Sequence, residues 1–331
     1  MESKTRITVL NHILALNLDV NIWSARKKLT PSDFGATQLP PEDLASLGSK
    51  RVCNPEDLRI FGTLKSRAFN MLDRHGVRFL GGWAIPEKMA DEIVKELTAI
   101  EKEFFAAKED FLSRYDEAVQ DWIKQHPGWE ELIGSSTVSA EYVRSRIGFK
   151  WQFFKLATPE KNSVKKGLKD EVNKLGSTLF DEIAKAATDT WNRCYAGKVK
   201  VTHKALSPLR SIHDKLNGLS FVDPRVLPIT DLLQTAFDKV PSRGFIRDEN
   251  LLMLQGVVSL LKEPALLMKN GQKLLDGATS EGLLESLTAA PKQSIEMTDA
   301  ADDSTEKDSE TTGPNPIPLT ANQQIDSHGL W

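Results

Sequence analysis

Cysteine is scarce: Cys53 and Cys194 are the only two in 331 residues, and neither sits in a CxxC or a Cys/His cluster. That excludes a disulfide framework and a cysteine-based zinc site, and leaves both as small apolar packing residues. The six histidines (His12, His75, His126, His203, His213 and His328) are scattered, with no HExxH or HxxxH pair, so a zinc-hydrolase reading has no footing. Gly81-Gly82 follows an apolar run, but GxGxxG, GxxxxGK[ST] and GxSxG are all missing. A standard phosphate loop and a nucleophile elbow are thereby set aside. No acidic cluster resembles a Mg²⁺ or Ca²⁺ site. The acid pairs Glu109/Asp110 and Asp116/Glu117 are neighbours on a helix, diverge, and read as solvated faces. No catalytic residue, cofactor or metal is expected, and the chain reads as a non-enzyme.

Long apolar runs are also absent. Nothing approaches the roughly 18 consecutive apolar residues of a membrane span. The apolar start of the chain is interrupted by Asn11, His12, Asn17 and Asp19, unlike a secretory signal. Cytoplasmic residence without membrane contact is the expectation.

What is present is helical periodicity and uneven charge. The net charge of −3 conceals three blocks. Residues 291–331 hold eight acids and two bases, residues 87–131 thirteen acids and six bases, and residues 140–215 eight acids and sixteen bases.

The amino-terminal region, 1–85, reads as mixed α/β. Leu14, Leu16, Leu18, Val20 and Ile22 alternate with Ala15, Asn17, Asp19 and Asn21, the period of a half-buried strand. Thr30-Pro31-Ser32-Asp33 and Leu39-Pro40-Pro41-Glu42-Asp43 read as turns or helix starts. A helix is predicted over Pro55–Arg74, stopping at His75-Gly76. Val77–Ile85 fits a strand able to pair with Leu14–Ile22.

Pro86 opens a run to Gln125 with no internal proline or glycine. Ile93, Leu97, Ile100, Phe104, Ala107, Phe111, Tyr115, Ala118 and Trp122 follow steps of three and four, with a stutter near Phe111. A second run, Glu160 to Ala196, carries Val164, Leu168, Val172, Leu175, Leu179, Ile183, Ala187, Trp191 and Cys194 at the same spacing. Folding the acidic run back on the basic one would cover both apolar stripes and oppose their charges. The expected architecture is therefore mainly α (α+β). A long antiparallel, coiled-coil-like hairpin spans 86–197, with a tip insert at 127–159. Shorter helices follow over 198–290, and a disordered acidic tail over 291–331. Gly167 and Gly176 are candidate points of close approach between the arms. Pairing of either arm between chains, in a homo-oligomer, stays open.

Two features point to interaction. The insert contains Tyr142-Val143-Arg144-Ser145-Arg146-Ile147-Gly148-Phe149-Lys150-Trp151-Gln152-Phe153-Phe154-Lys155. Cations interleaved with aromatics are what single-stranded nucleic-acid binders use, so Arg144, Arg146, Lys150 and Trp151 are candidate surface residues for nucleic acid or a partner. The bland alternative puts the aromatics in a core and the cations in solvent. The chain ends on Leu330-Trp331 after a polar, acidic stretch, a candidate docking pair for a partner's groove.

The stretches LNLDVNIWSARKKLTPSDFG (Leu16–Gly35), LPPEDLASLGSKRVCNPEDL (Leu39–Leu58), DRHGVRFLGGWAIP (Asp73–Pro86) and HPGWEELI (His126–Ile133) resemble an uncharacterised bacterial family, a domain of unknown function carried on plasmids, integrative elements and phages. The resemblance covers roughly residues 10–200. It implies partners rather than a mechanism. Members are typically encoded beside a MoxR-type AAA+ ATPase and a von Willebrand factor A protein similar to cobaltochelatase subunits. The expected role is a non-enzymatic adaptor, with a single-stranded nucleic-acid-binding accessory protein as the alternative.

Overall fold

The alternation of Leu16, Leu18 and Val20 with Asn17, Asp19 and Asn21 becomes strand β1 (Ile13–Asn21), whose even-numbered residues from Leu16 are buried and whose odd-numbered ones from Asn17 are exposed. A computed structural model describes residues 9–30, 33, 48–157 and 162–288. It is mainly helical with a small antiparallel sheet near its start. The tail over 291–331, including Leu330 and Trp331, lies outside the described residues.

Short strands β2 (Arg26–Lys28) and β3 (Ser49–Arg51) pair with each other. Asn54 then accepts from the Glu56 N–H and starts a turn that leads into α1 (Arg59–His75). That helix ends at Gly76 as expected, but in extended rather than left-handed backbone, its N–H held by the Leu72 carbonyl at 2.8 Å. The apolar segment after it is two strands, β4 (Val77–Phe79) and β5 (Gly82–Pro86). They are joined by Leu80 and Gly81, both at positive φ (49° and 77°), a two-residue hairpin turn whose twist suits the strands. Strand β5 pairs with β1, as the sequence suggests, with Leu16 opposite Trp83. A Cβ at Gly82 would overlap the Leu16 carbonyl oxygen, so the close approach requires glycine there.

The acidic run breaks into α2 (Ala90–Ser113) and α3 (Tyr115–Lys124). The break falls at Arg114 (φ −113°, ψ 14°), beside the stutter near Phe111, where the apolar stripe leaves a single face. Helices α4 (Glu130–Gly134) and α5 (Ala140–Arg146) follow, the latter capped by the Ser139 hydroxyl. Strand β6 (Gly148–Phe154) pairs with β1 over seven residues, giving the sheet order β4-β5-β1-β6. The basic run forms α6 (Asn162–Thr190), prolonged by a π-helical turn over Trp191–Tyr195. Beyond it lie β7 (Lys200–Val201), α7 (Leu206–Gly218), α8 (Val226–Asp238), β8 (Ile246–Arg247), α9 (Asp248–Leu261), α10 (Pro264–Leu275) and α11 (Ser280–Thr288). Strands β7 and β8 pair with each other. No single helix among the described residues is long and apolar enough to cross a membrane.

The two runs do not form the expected hairpin. Helix α2 packs on α1 and β6, while α6 packs on β4, α7, α9 and α10. Each apolar stripe is covered by a different core. Leu97, Ile100, Phe104 and Phe111 of α2 bury with Phe61, Trp83 and Phe149. Leu175, Leu179, Phe180 and Ile183 of α6 bury with Leu209, Ile229 and Leu254. A sheet face and a helical cluster offer each stripe more apolar area than a single partner helix does. The charges are likewise met elsewhere: Glu103 pairs with Arg67 on α1, and Glu109 with Arg144 on α5. Gly176 does mark a close approach, to Asp223 rather than to α2, and Gly167 faces open space.

The two cores meet at the sheet. Val77, Phe79, Ala84 and Ile13 turn to the α6–α11 core, whereas Leu16, Trp83 and Ile85 turn to the α1–α3 core. Strand β5 is buried on both sides. Cys53 is fully buried, and burial pushes its thiol up to about 12, in keeping with a packing role; Cys194 is half-buried.

Candidate functional site

Strand period separates the four residues that the sequence groups together. In β6, Phe149 is buried and Trp151 and Phe153 pack on the α1–α3 core, so Lys150, Gln152 and Phe154 face outward. Trp151 is half-buried and its indole N–H donates to Glu101 at 2.9 Å. Lys150 is exposed, opposite Asp19 of β1. Arg144 donates to Glu109 at 2.6 Å and lies 3.6 Å from Glu141; the Glu109 bond raises the guanidinium pKa and lowers that of the carboxyl. Arg146 lies over the Tyr142 ring, 5.1 Å from its centroid. The structure therefore leaves Arg146 and Lys150 free of carboxylate partners among the described residues, and engages Arg144 and Trp151. The four do not form one stacking platform.

The end of α5 is fixed from below. The Lys108 ammonium, buried on α2, donates to the Ile147 carbonyl at 2.6 Å, and burial lowers its pKa. This bond sets where β6 begins.

What the stretch does present is a backbone edge. The Glu87 N–H donates to the His12 carbonyl at 2.9 Å, and Gly82 lies against the Leu16 carbonyl. Even-numbered residues of β1 thus direct their backbone groups to β5, and by alternation the odd-numbered ones direct theirs to β6. Their partners are Phe154, Gln152, Lys150 and Gly148. Phe149, Trp151 and Phe153 consequently point their N–H and C=O groups away from the sheet, and no strand among the described residues pairs with them. The opposite edge differs: at β4, the Arg78 N–H donates to Glu182 of α6 at 2.8 Å.

A second polar feature lies where the two cores meet at α1, α6 and α7. The buried Lys215 ammonium donates at 2.6 Å both to the Asp73 carbonyl and to a Glu182 carboxylate oxygen. The Asp73 carboxylate accepts the Trp83 indole N–H at 2.7 Å and pairs with Arg78 at 2.9 Å. The Arg78 guanidinium in turn stacks on Trp83, 3.9 Å from the ring centroid. A cleft of about 710 Å³ opens beside this network, lined also by Arg74, Lys185 and Arg193. The sequence grouped none of these residues, because they come from three separate segments. The available signal was the exposed stripe Arg59, Thr63, Ser66, Asn70 and Arg74 on α1, at steps of three and four. Among the described residues, no three His, Cys, Asp or Glu side chains converge to hold a metal ion.

No curated protein and no solved structure matches the chain. One family model does, and its match runs past residue 200 through α9, so it includes the α1–α3 core, the second core short of α10 and α11, and the edge strand. That model, described as "Protein of unknown function (DUF3150)", covers residues 10–263, more than three quarters of the sequence, and the chain belongs to this family.

Proposed function

We propose that the chain is a non-enzymatic cytoplasmic adaptor of a mobile genetic element, and that it engages a MoxR-type AAA+ ATPase and a von Willebrand factor A protein encoded beside it. The observation that carries this reading is the open outer edge of β6, where the alternate residues Phe149, Trp151 and Phe153 direct backbone donors and acceptors away from the sheet, toward an added strand. The resemblance to families encoded beside such an ATPase supplies the candidate partners. The edge also has a charge preference. Of the four cations from Tyr142 to Lys155, Arg144 pairs with Glu109 and Lys155 with Glu87; Arg146 and Lys150, without carboxylate partners among the described residues, favour an extended acidic segment of the partner. Phe154, 43% exposed, adds an apolar contact on the outer face.

The test is co-expression of the full chain with the two neighbouring gene products. Lys150→Glu/Phe154→Glu changes only exposed side chains and leaves the pairing to β1 intact. Loss of the ATPase or the von Willebrand factor A protein from the purified complex on this double substitution supports the reading. Equal recovery of both with wild type and variant overturns the β6 assignment, and no association with the wild type overturns the adaptor itself.

A further inference from the structure

The exposed stripe of α1 is one wall of a groove. Arg59, Thr63, Ser66, Asn70 and Arg74 line up over about 22 Å of helix. Alongside them is a hollow of about 830 Å³, bounded on the far side by Glu96. Asn70 and Arg74 line both this hollow and the 710 Å³ cleft between α6 and α7, so the two adjoin and form one open groove.

Its charge runs against that of the chain. Seven cations and four carboxylates line the two parts; with Glu56 and Glu103, which pair with Arg59 and Arg67 from outside the lining, the local excess is one positive charge in a protein of net −3. Four of the cations are engaged: Arg59 with Glu56, Arg67 with Glu103, Arg78 with Asp73 and Lys215 with Glu182. Arg74, Lys185 and Arg193 are exposed and have no carboxylate partner among the described residues. Lys185 on α6 and Arg193 in the π-helical turn that prolongs it are about two turns, or about 12 Å, apart along the axis. Between the cations stand neutral donors, Thr63, Ser66 and Asn70 on α1 and Ser207 and Ser211 on α7, together with the exposed Asp189 carboxylate, four residues from both Lys185 and Arg193.

We infer that this groove binds single-stranded nucleic acid through its phosphate backbone. Spaced cations interleaved with hydroxyls and amides match phosphate and sugar oxygens along a strand. The groove is longer than one nucleotide and open along its length, which favours a strand over a small phosphate compound. No aromatic side chain lines it, so binding is sequence-neutral and does not use base stacking. The site is separate from β6 and stands whether or not the adaptor reading holds.

Fluorescence anisotropy of a labelled 20-nucleotide oligo(dT) with the full chain tests it. At 50 mM salt the wild type binds, and affinity falls steeply toward 200 mM. Arg74→Glu/Lys185→Glu/Arg193→Glu, all at exposed positions, lowers affinity at least tenfold and flattens the salt slope by about 2, given about 0.7 per neutralised phosphate. Arg146→Glu/Lys150→Glu leaves binding as in wild type. Circular dichroism and thermal unfolding of each variant check that the fold is kept. Absence of wild-type binding at 50 mM salt overturns the inference. So does unchanged binding by the groove variant, or a loss confined to the Arg146/Lys150 variant. Tripolyphosphate binding without oligonucleotide binding would also overturn it.

Discussion

The Lys215 ammonium donates to the main-chain carbonyl of Asp73 at 2.6 Å, joining the last turns of α1 to α7 across the boundary between the two cores. The same ammonium holds Glu182 at 2.6 Å, and Glu182 in turn accepts the Arg78 N–H that closes the β4 edge. Three elements from separate stretches of sequence share one buried cation.

Replacing Lys215 by Met should therefore cost about 3 kcal/mol, the lower end for a broken buried pair, since the Glu182 side chain keeps 21% exposure. Adding Glu182→Gln should recover at least 1 kcal/mol of this, because the stranded carboxylate is then neutral. Urea unfolding of the single and double variants reads both numbers, and an additive double variant would show that the two residues are not coupled.

Leu80 occupies left-handed backbone (φ 49°) with half its surface exposed. A leucine there strains the chain, while asparagine tolerates that conformation and forms the favoured Asn-Gly turn with Gly81. Leu80→Asn is expected to raise stability by about 1 kcal/mol, seen as a higher melting temperature. A lower one would mean that the leucine side chain has a contact the turn depends on.

Two glycines of α6 should answer oppositely to alanine. Gly167 faces open space, so Gly167→Ala gains up to about 1 kcal/mol of helix propensity. At Gly176 a Cβ would lie 2.9 Å from an Asp223 carboxylate oxygen, and Asp223 is held by Arg225 at 2.7 Å. Gly176→Ala should lose about 1 kcal/mol or more as that pair is displaced. Chemical denaturation of both variants distinguishes the two sites.

His75 closes α1 half-buried, and burial holds its pKa below the usual 6.5; Arg74 acts in the same direction, against Glu92, Glu96 and Asp214. The folded state thus binds the proton less well than the unfolded chain. The stability linked to this is complete above about pH 6.5 and is lost as pH falls through the lowered value. His75→Gln should shrink the drop in urea midpoint between pH 7.5 and pH 5 relative to wild type; an identical drop would assign it to other groups.

The sheet was readable because alternation has only one meaning for a half-buried strand. Leu16, Leu18 and Val20 pointed inward and Phe149 lay on the same side, and the pairing of the Val77–Ile85 segment with β1 followed. Helical spacing says less. The steps through Ile93, Leu97, Ile100 and Phe104 define a stripe without saying what covers it, and here the cover is Phe61, Trp83 and Phe149 rather than α6. Opposite net charges on two runs misled in the same way, since Glu103 and Glu109 had nearer cations on α1 and α5. Of the candidate surface, the strand character of 148–154 was visible, but not that Trp151 would be tied to Glu101 from fifty residues away. The groove was invisible for a plainer reason: Arg74, Lys185 and Ser211 are brought together only by packing.

The position of β1 inside the sheet, between β5 and β6, carries a consequence for synthesis. Ala15 is made about 140 residues before its partner Phe154. At 5–20 residues per second, a ribosome takes roughly seven to thirty seconds to cover that distance. Throughout it the apolar face of Leu16, Leu18 and Val20 lacks one flank, and fragments that end before residue 148 leave the strand unpaired on that side for good. Nascent chains released early should therefore be the ones that aggregate or draw chaperones.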